Sequence, residues 1–150
     1  MKIVLASDHG GFSLKQEVLR YLSGAANVTV EDLGAFSDDS VDYPDYAGLV
    51  AEKVSSKEAD RGILLCGTGV GMAITANKFK GVRAAAITDL FSAQMAREHN
   101  DINVLCLGGR VMAASLAKEI VALFLKTAFA GGRHEKRVEK IKKFEDKNCK

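Results

Sequence analysis

Two rhythms of apolar residues alternate along this chain. Short, nearly continuous apolar runs at Lys2–Ala6, Val28–Leu33, Arg61–Leu65, Val82–Thr88 and Asn103–Leu107 predict strands. Between them, apolar residues recur at helical spacing. Phe12, Leu14, Val18, Leu19 and Leu22 predict a helix over Phe12–Leu22, and similar patterns predict helices over Tyr46–Ser55, Met72–Phe79, Phe91–His99 and Ala113–Lys126. Asp89 stands where the fourth of these needs an N-cap. After Gly131 and Gly132, a basic helix runs from about His134 to Asp146, and the last few residues are expected to fray.

Alternating strands and helices imply βαβ units, hence a parallel sheet covered on both faces. Strands such as GILLC and VLCL are apolar throughout, which fits burial on both faces. The expected architecture is α/β: a three-layer α/β/α, Rossmann-like fold with a five-stranded parallel sheet. No repeat, linker or low-complexity segment divides the 150 residues, so one domain over 1–150 is expected. Residues from about 131 onward follow the last strand and a Gly-Gly break, which suits a helix packing on a partner subunit.

Composition narrows the class. The chain is 47% hydrophobic and 27% charged, as in a soluble globular protein. A net charge of +2 gives no argument for nucleic acid. No apolar run approaches the roughly 20 residues that span a bilayer, and the apolar start is too short for a signal peptide. Cys66, Cys106 and Cys149 are far apart and odd in number, without a CxxC pair. A reducing, cytoplasmic compartment and no structural metal are expected.

Candidate chemistry gathers where parallel sheets bind ligands, at the carboxyl ends of the strands. The first strand ends in Ser7, Asp8 and His9, the third in Cys66-Gly67-Thr68-Gly69-Val70-Gly71, and the fifth in Gly108-Gly109-Arg110. His99 and Asn100, at the end of the preceding helix, are expected at the same edge. Alternating glycines between strand and helix let backbone amides turn towards an anion or a developing oxyanion. The same segment also reads as a tight turn that binds nothing. It fits a dinucleotide loop poorly, because Met72 stands where that fingerprint wants glycine or alanine, and no Walker lysine follows. Cys66 lies at the mouth of this loop, where a thiol beside amides and a helix N-terminus can serve as a base; a buried core cysteine is the other reading. Cys106, inside a strand, and Cys149, in the tail, read as inert. His9, His99 and His134 all fall at element ends, with no metal-binding spacing. Arg133 and Arg137 share one helix face and suit a phosphate, whereas the neighbouring lysines read as a solvated face.

The stretches SDHGGF, DYPDYA, GILLCGTGVGM, REHNDINVLCLGGR and GGRHEKRV resemble, in order and spacing, those of the ribose-5-phosphate isomerase B family, which also includes galactose-6-phosphate isomerase subunits. The resemblance runs from Met1 to about Lys143. It implies an aldose–ketose isomerase of the pentose phosphate pathway that interconverts D-ribose 5-phosphate and D-ribulose 5-phosphate by ring opening and a cis-enediolate. On that pattern Cys66 is the base, the amides of Gly67, Gly69, Val70 and Gly71 hold the enediolate, and Thr68 and His99 open the ring with Asp8. Asn100 bonds substrate oxygens and Tyr43 lines the pocket. His9, Arg110, Arg133 and Arg137 bind the phosphate, with His134 close by. Some members of the family carry the base as Glu at the position of Met72; this chain matches the Cys kind. The resemblance further implies no cofactor and a homodimer or homotetramer with the site between subunits, so that His99, Asn100 and the two arginines face the partner's Cys66.

Other readings stay open on the sequence: a six-carbon substrate such as allose or galactose 6-phosphate, a non-catalytic sugar-phosphate sensor, and a nucleotide-dependent enzyme using GTGVG. The intact Cys66 and His99 speak against the sensor, and Met72 against the nucleotide enzyme.

Overall fold

The computed structural model describes residues 1–148; Cys149 lies outside the described residues. The elements alternate as the apolar rhythm requires: β1 (Lys2–Ser7), α1 (Phe12–Ser23), β2 (Thr29–Asp32), α2 (Tyr43–Ser55), β3 (Arg61–Cys66), α3 (Val70–Ala76), β4 (Ala84–Ala86), α4 (Leu90–Asn100), β5 (Val104–Gly108), α5 (Ala114–Lys126) and α6 (Arg133–Asn148). The strands pair in the order β2-β1-β3-β5-β4, every pair parallel.

Strand periodicity divides the core into two layers. Ile3, Leu5, Ile63, Leu65, Leu105 and Leu107 point to one face, where Leu14, Val18 and Leu22 of α1 and Ile120 and Phe124 of α5 cover them. Their neighbours Val4, Ala6, Leu64, Cys66, Val104 and Cys106 point to the other, beneath Val50 and Ala51 of α2 and Met72 of α3. Each fully buried large aliphatic side chain contributes roughly 1.5–3 kcal/mol, so both faces of the central strands hold the sheet together. α6 packs on α4 of its own chain.

Element boundaries depart from the sequence reading by more than one residue at four places, the first three with a local cause. α2 begins at Tyr43, not Tyr46, because Pro44 falls in its first turn, where its fixed φ suits a helix start. α3 begins at Val70 and ends at Ala76, immediately after Gly69 turns the chain through φ +83°. β4 keeps only Ala84–Ala86 of the seven-residue run, being an edge strand paired on one side. The C-terminal residues expected to fray are helical as far as Asn148. Asp89 caps α4 as expected, its carboxylate accepting from the Ser92 amide at 2.7 Å.

Candidate active site

Three strand ends, those of β1, β3 and β5, meet at the carboxyl edge of the sheet, and glycine is what lets them meet. A Cβ on Gly11 would lie 2.4 Å from the Leu65 carbonyl, one on Gly109 2.5 Å from the Gly10 carbonyl oxygen, and one on Gly108 2.8 Å from Thr68 Cα. Side chains are excluded there, so the loops pack backbone on backbone. Hydrogen bonds lock them: Asp8 N–H to the Leu65 carbonyl (3.1 Å), Gly109 N–H to that of Cys66 (2.7 Å) and Arg110 N–H to that of Gly67 (3.0 Å).

Cys66 closes β3 on this floor, buried, and its Sγ accepts the Gly69 N–H at 3.1 Å. That approach depends on the left-handed backbone of Gly69, whose added Cβ would also lie 3.1 Å from the Cys106 carbonyl carbon. Thr68 Oγ1 accepts the Val70 N–H at 3.3 Å, bracing the start of α3. Asp8 is buried, with Oδ1 accepting the Gly11 N–H at 3.0 Å. Beside it, His9 Nδ1 accepts the Val41 N–H at 3.2 Å, so a neutral His9 carries its proton on Nε2. The Tyr43 ring lies against Gly71, 2.7 Å from where a Cβ would be. Arg110 lays its guanidinium over Gly67, with Nη1 3.2 Å from that glycine's Cβ position. The structure thus brings together Asp8, His9, Tyr43, Cys66, Gly67, Thr68, Gly69, Val70, Gly71 and Arg110.

The expectation that His99 and Asn100 share this edge is corrected. α4 returns the chain from the end of β4 to the start of β5, so its last turn lies at the edge where the strands begin. There His134 of α6 stacks on His99, with ring centres 4.0 Å apart and planes 11° from parallel. Asn100 accepts the Arg83 Nε–H through its carbonyl at 3.2 Å. Arg133 and Arg137, both exposed, flank the stack. Burial first, then His99, Arg133 and Arg137, push the His134 pKa below the ordinary imidazole value, against Glu98. His99, Asn100, Arg133, His134 and Arg137 therefore form a second cluster, apart from Cys66 within one chain.

Cys106 lies behind the floor, where burial and the nearby Cys66 push its thiol pKa well up, so it stays protonated. Among the described residues, no group of three or more His, Cys, Asp and Glu could hold a metal ion. An apolar groove runs along β4, lined by Ala84, Ala85, Ile87, Met95, Ile141 and Phe144, and does not reach Cys66. One residue escapes the pattern reading: Lys15 is fully buried on α1. The signal was its position, because Lys15, Val18 and Leu22 share the i, i+3, i+7 stripe that faces the core.

Known proteins resemble this chain across nearly its full length. A family model described as Ribose/Galactose Isomerase matches residues 3–141. Ribose-5-phosphate isomerase B of Escherichia coli is 48% identical over 146 residues, covering 97% of each chain. A Clostridium thermocellum ribose-5-phosphate isomerase B structure superposes with a TM-score of 0.95 at 51% identity, over 98% of this chain and 99% of that one. One from Mycoplasma genitalium, with bound ribulose-5-phosphate, gives 0.93 at 45% identity, over 98% and 97%. With its parallel sheet, its glycine-built floor under a thiol and a match across nearly its full length, this chain belongs to the ribose/galactose isomerase family.

Proposed function

We propose that the chain interconverts D-ribose 5-phosphate and D-ribulose 5-phosphate, with Cys66 as the base. The observation that carries this is the Cys66 thiol at the end of β3, with the Gly69 N–H donating to its sulfur at 3.1 Å. An amide donor is the arrangement that favours negative charge on sulfur. A solved family member holding ribulose-5-phosphate supports the substrate.

Thr68, Asp8 and His99 help open the furanose ring. Cys66 then takes the proton from C2 of the open aldose, and the electron pair of that C–H bond enters the enediolate. The hydroxyl proton on O2 then passes to O1, and Cys66 returns its proton to C1 as the charge now on O2 collapses to leave the ketone at C2. Gly69 N–H serves the sulfur and Val70 N–H is held by Thr68, so the amides of Gly67, Thr68 and Gly71 are left to meet the enediolate oxygen. His9, Arg110, Arg133 and Arg137 grip the phosphate, whose binding energy orients the reacting carbons. The reaction needs neither metal nor organic cofactor.

The two clusters face one another only between chains. We read the protein as a homodimer or larger homo-oligomer of one-domain subunits, in which His99, Asn100, Arg133 and Arg137 complete the site built around the partner's Cys66. The exposed apolar side chains of Val70, Ile74 and Phe91, on α3 and α4, suit such a contact. Among the described residues, no helix is long and apolar enough to cross a membrane. Cys66 and Cys106 are free thiols, which fits a cytoplasmic enzyme.

The test is ketose formation from ribose 5-phosphate by wild type and Cys66→Ala. Turnover in wild type and a loss of about 10³-fold or more in the variant is expected. Turnover that survives in the variant would refute the thiol base; none in wild type would refute the pentose substrate and turn attention to six-carbon aldose phosphates.

A further inference from the structure

Lys15 is among the largest of the fully buried side chains, and its charge has no part in the reaction described above. Its ammonium donates to Asp32 Oδ1 at 2.7 Å and to the Ala35 carbonyl at 2.6 Å. The rings of Phe12 and Phe36 lie at 5.6 and 5.4 Å, leaving it between aromatic faces. Desolvating an ammonium costs several kcal/mol, and a leucine or methionine would fill the same core site without that cost. What an apolar residue would not do is hold a particular backbone carbonyl in place.

The carbonyl it holds begins the loop between β2 and α2. Asp32 Oδ1, besides accepting from Lys15, accepts the Gly34 N–H at 2.9 Å. Gly34 and Ala35 are bonded to the end of β1, Ser7 N–H to the Gly34 carbonyl (2.7 Å) and Ala35 N–H to that of Ser7 (2.8 Å). From there the loop runs over the site and delivers two groups to it: the Val41 N–H, which fixes His9 Nδ1, and Tyr43, which lies on Gly71. Lys15 itself sits one turn after the segment that carries Asp8 and His9. One buried ammonium therefore ties the start of α1 to the root of the loop that orients His9.

We propose that Lys15 is a positioning residue for the isomerase site. By clamping Asp32 and Ala35 it sets the β2–α2 loop, and through Val41 that loop holds His9 with its Nε2–H turned to the substrate. The kinetic consequence rests on the reading of His9 as a phosphate ligand; the orientation of His9 does not.

The test uses the full-length protein and its variants Lys15→Met, Val41→Pro and His9→Ala. Imidazole ¹⁵N shifts should show wild-type His9 as a single tautomer protonated on Nε2, and Lys15→Met should lose that preference. Lys15→Met should lower kcat/KM for ribose 5-phosphate about tenfold, the worth of one charge-assisted hydrogen bond. In a His9→Ala background the same substitution should cost no more than twofold, because both changes act through one group. Folded Lys15→Met protein with the wild-type His9 signature would overturn the proposal, as would full additivity of the two substitutions. If Lys15→Met does not fold, Val41→Pro decides: it removes the donor to His9 without touching the Lys15 contacts, and an unchanged tautomer would overturn the route. A silent His9→Ala would instead refute the phosphate role of His9, while the tautomer measurement still judges Lys15.

Discussion

His134 lies flat on His99, ring centre 4.0 Å from ring centre, and this contact ties the first turn of α6 to the last turn of α4. Burial and the cations Arg133 and Arg137 disfavour charge on His134, while Glu98 alone opposes them. A histidine whose folded pKa is lowered binds its proton more readily when unfolded. Its stabilising effect is complete above the unfolded value of 6.5 and is lost as pH falls below it towards the folded value. Hydrogen-exchange protection of α6 should therefore fall as pH drops below 6.5, and His134→Phe should blunt the change. An equal fall in wild type and variant would show that another group is responsible.

Gly69→Ala should damage both fold and catalysis. Its φ of +83° and the 3.1 Å approach of a Cβ to the Cys106 carbonyl carbon make alanine strained twice over. A loss of about 2 kcal/mol in urea unfolding is expected, with kcat reduced by about 10² as the amide leaves Cys66 Sγ. Wild-type kcat in this variant would show that the amide–thiol contact is not used.

Gly11→Ala tests the floor rather than the chemistry. Its Cβ would lie 2.4 Å from the Leu65 carbonyl oxygen, backbone that a side-chain rotation cannot move. Overpacking of this kind costs about 3 kcal/mol or more. The unfolding midpoint should drop sharply, and a variant of wild-type stability would mean that the start of α1 and β3 can part without penalty.

Subunit sharing has a direct genetic readout. Cys66→Ala and His99→Asn proteins, each nearly inactive alone, should regain turnover when unfolded together and refolded as mixed oligomers. A mixed dimer holds one doubly damaged site and one intact site, so activity per mixed dimer should approach half that of wild type. Mixtures no more active than their components would place the whole site within one chain.

The order of strands and helices could be read from apolar rhythm alone, since β1, β3 and β5 are buried on two faces and α1, α2 and α5 on one. Boundaries were less legible. Pro44 starts α2 three residues before its apolar stripe declares itself, and Ala84–Ala86 pair on one side only, so the longer run from Val82 does not all join the sheet. For the site, residues following a strand were placed well, because Asp8, Cys66 and Arg110 inherit the strand's direction. His99 and Asn100 were not, because they follow a helix that runs against the sheet. Lys15 was hidden by its type: lysine on a helix reads as solvated unless its place on the apolar stripe is weighed first.

The floor beneath Cys66 is built almost entirely of main chain, with glycine wherever two loops touch. Such a surface has nothing to trim or enlarge: it is common machinery, indifferent to how long the sugar is. On the proposed assembly, choice among substrates resides in the walls, in Tyr43 at the start of α2 and in whatever the N-terminal turns of α6 bring to the phosphate. On that assembly, retuning the enzyme for a longer sugar is a problem of spacing between floor and phosphate grip, to be solved at the far end of the substrate and not around the thiol.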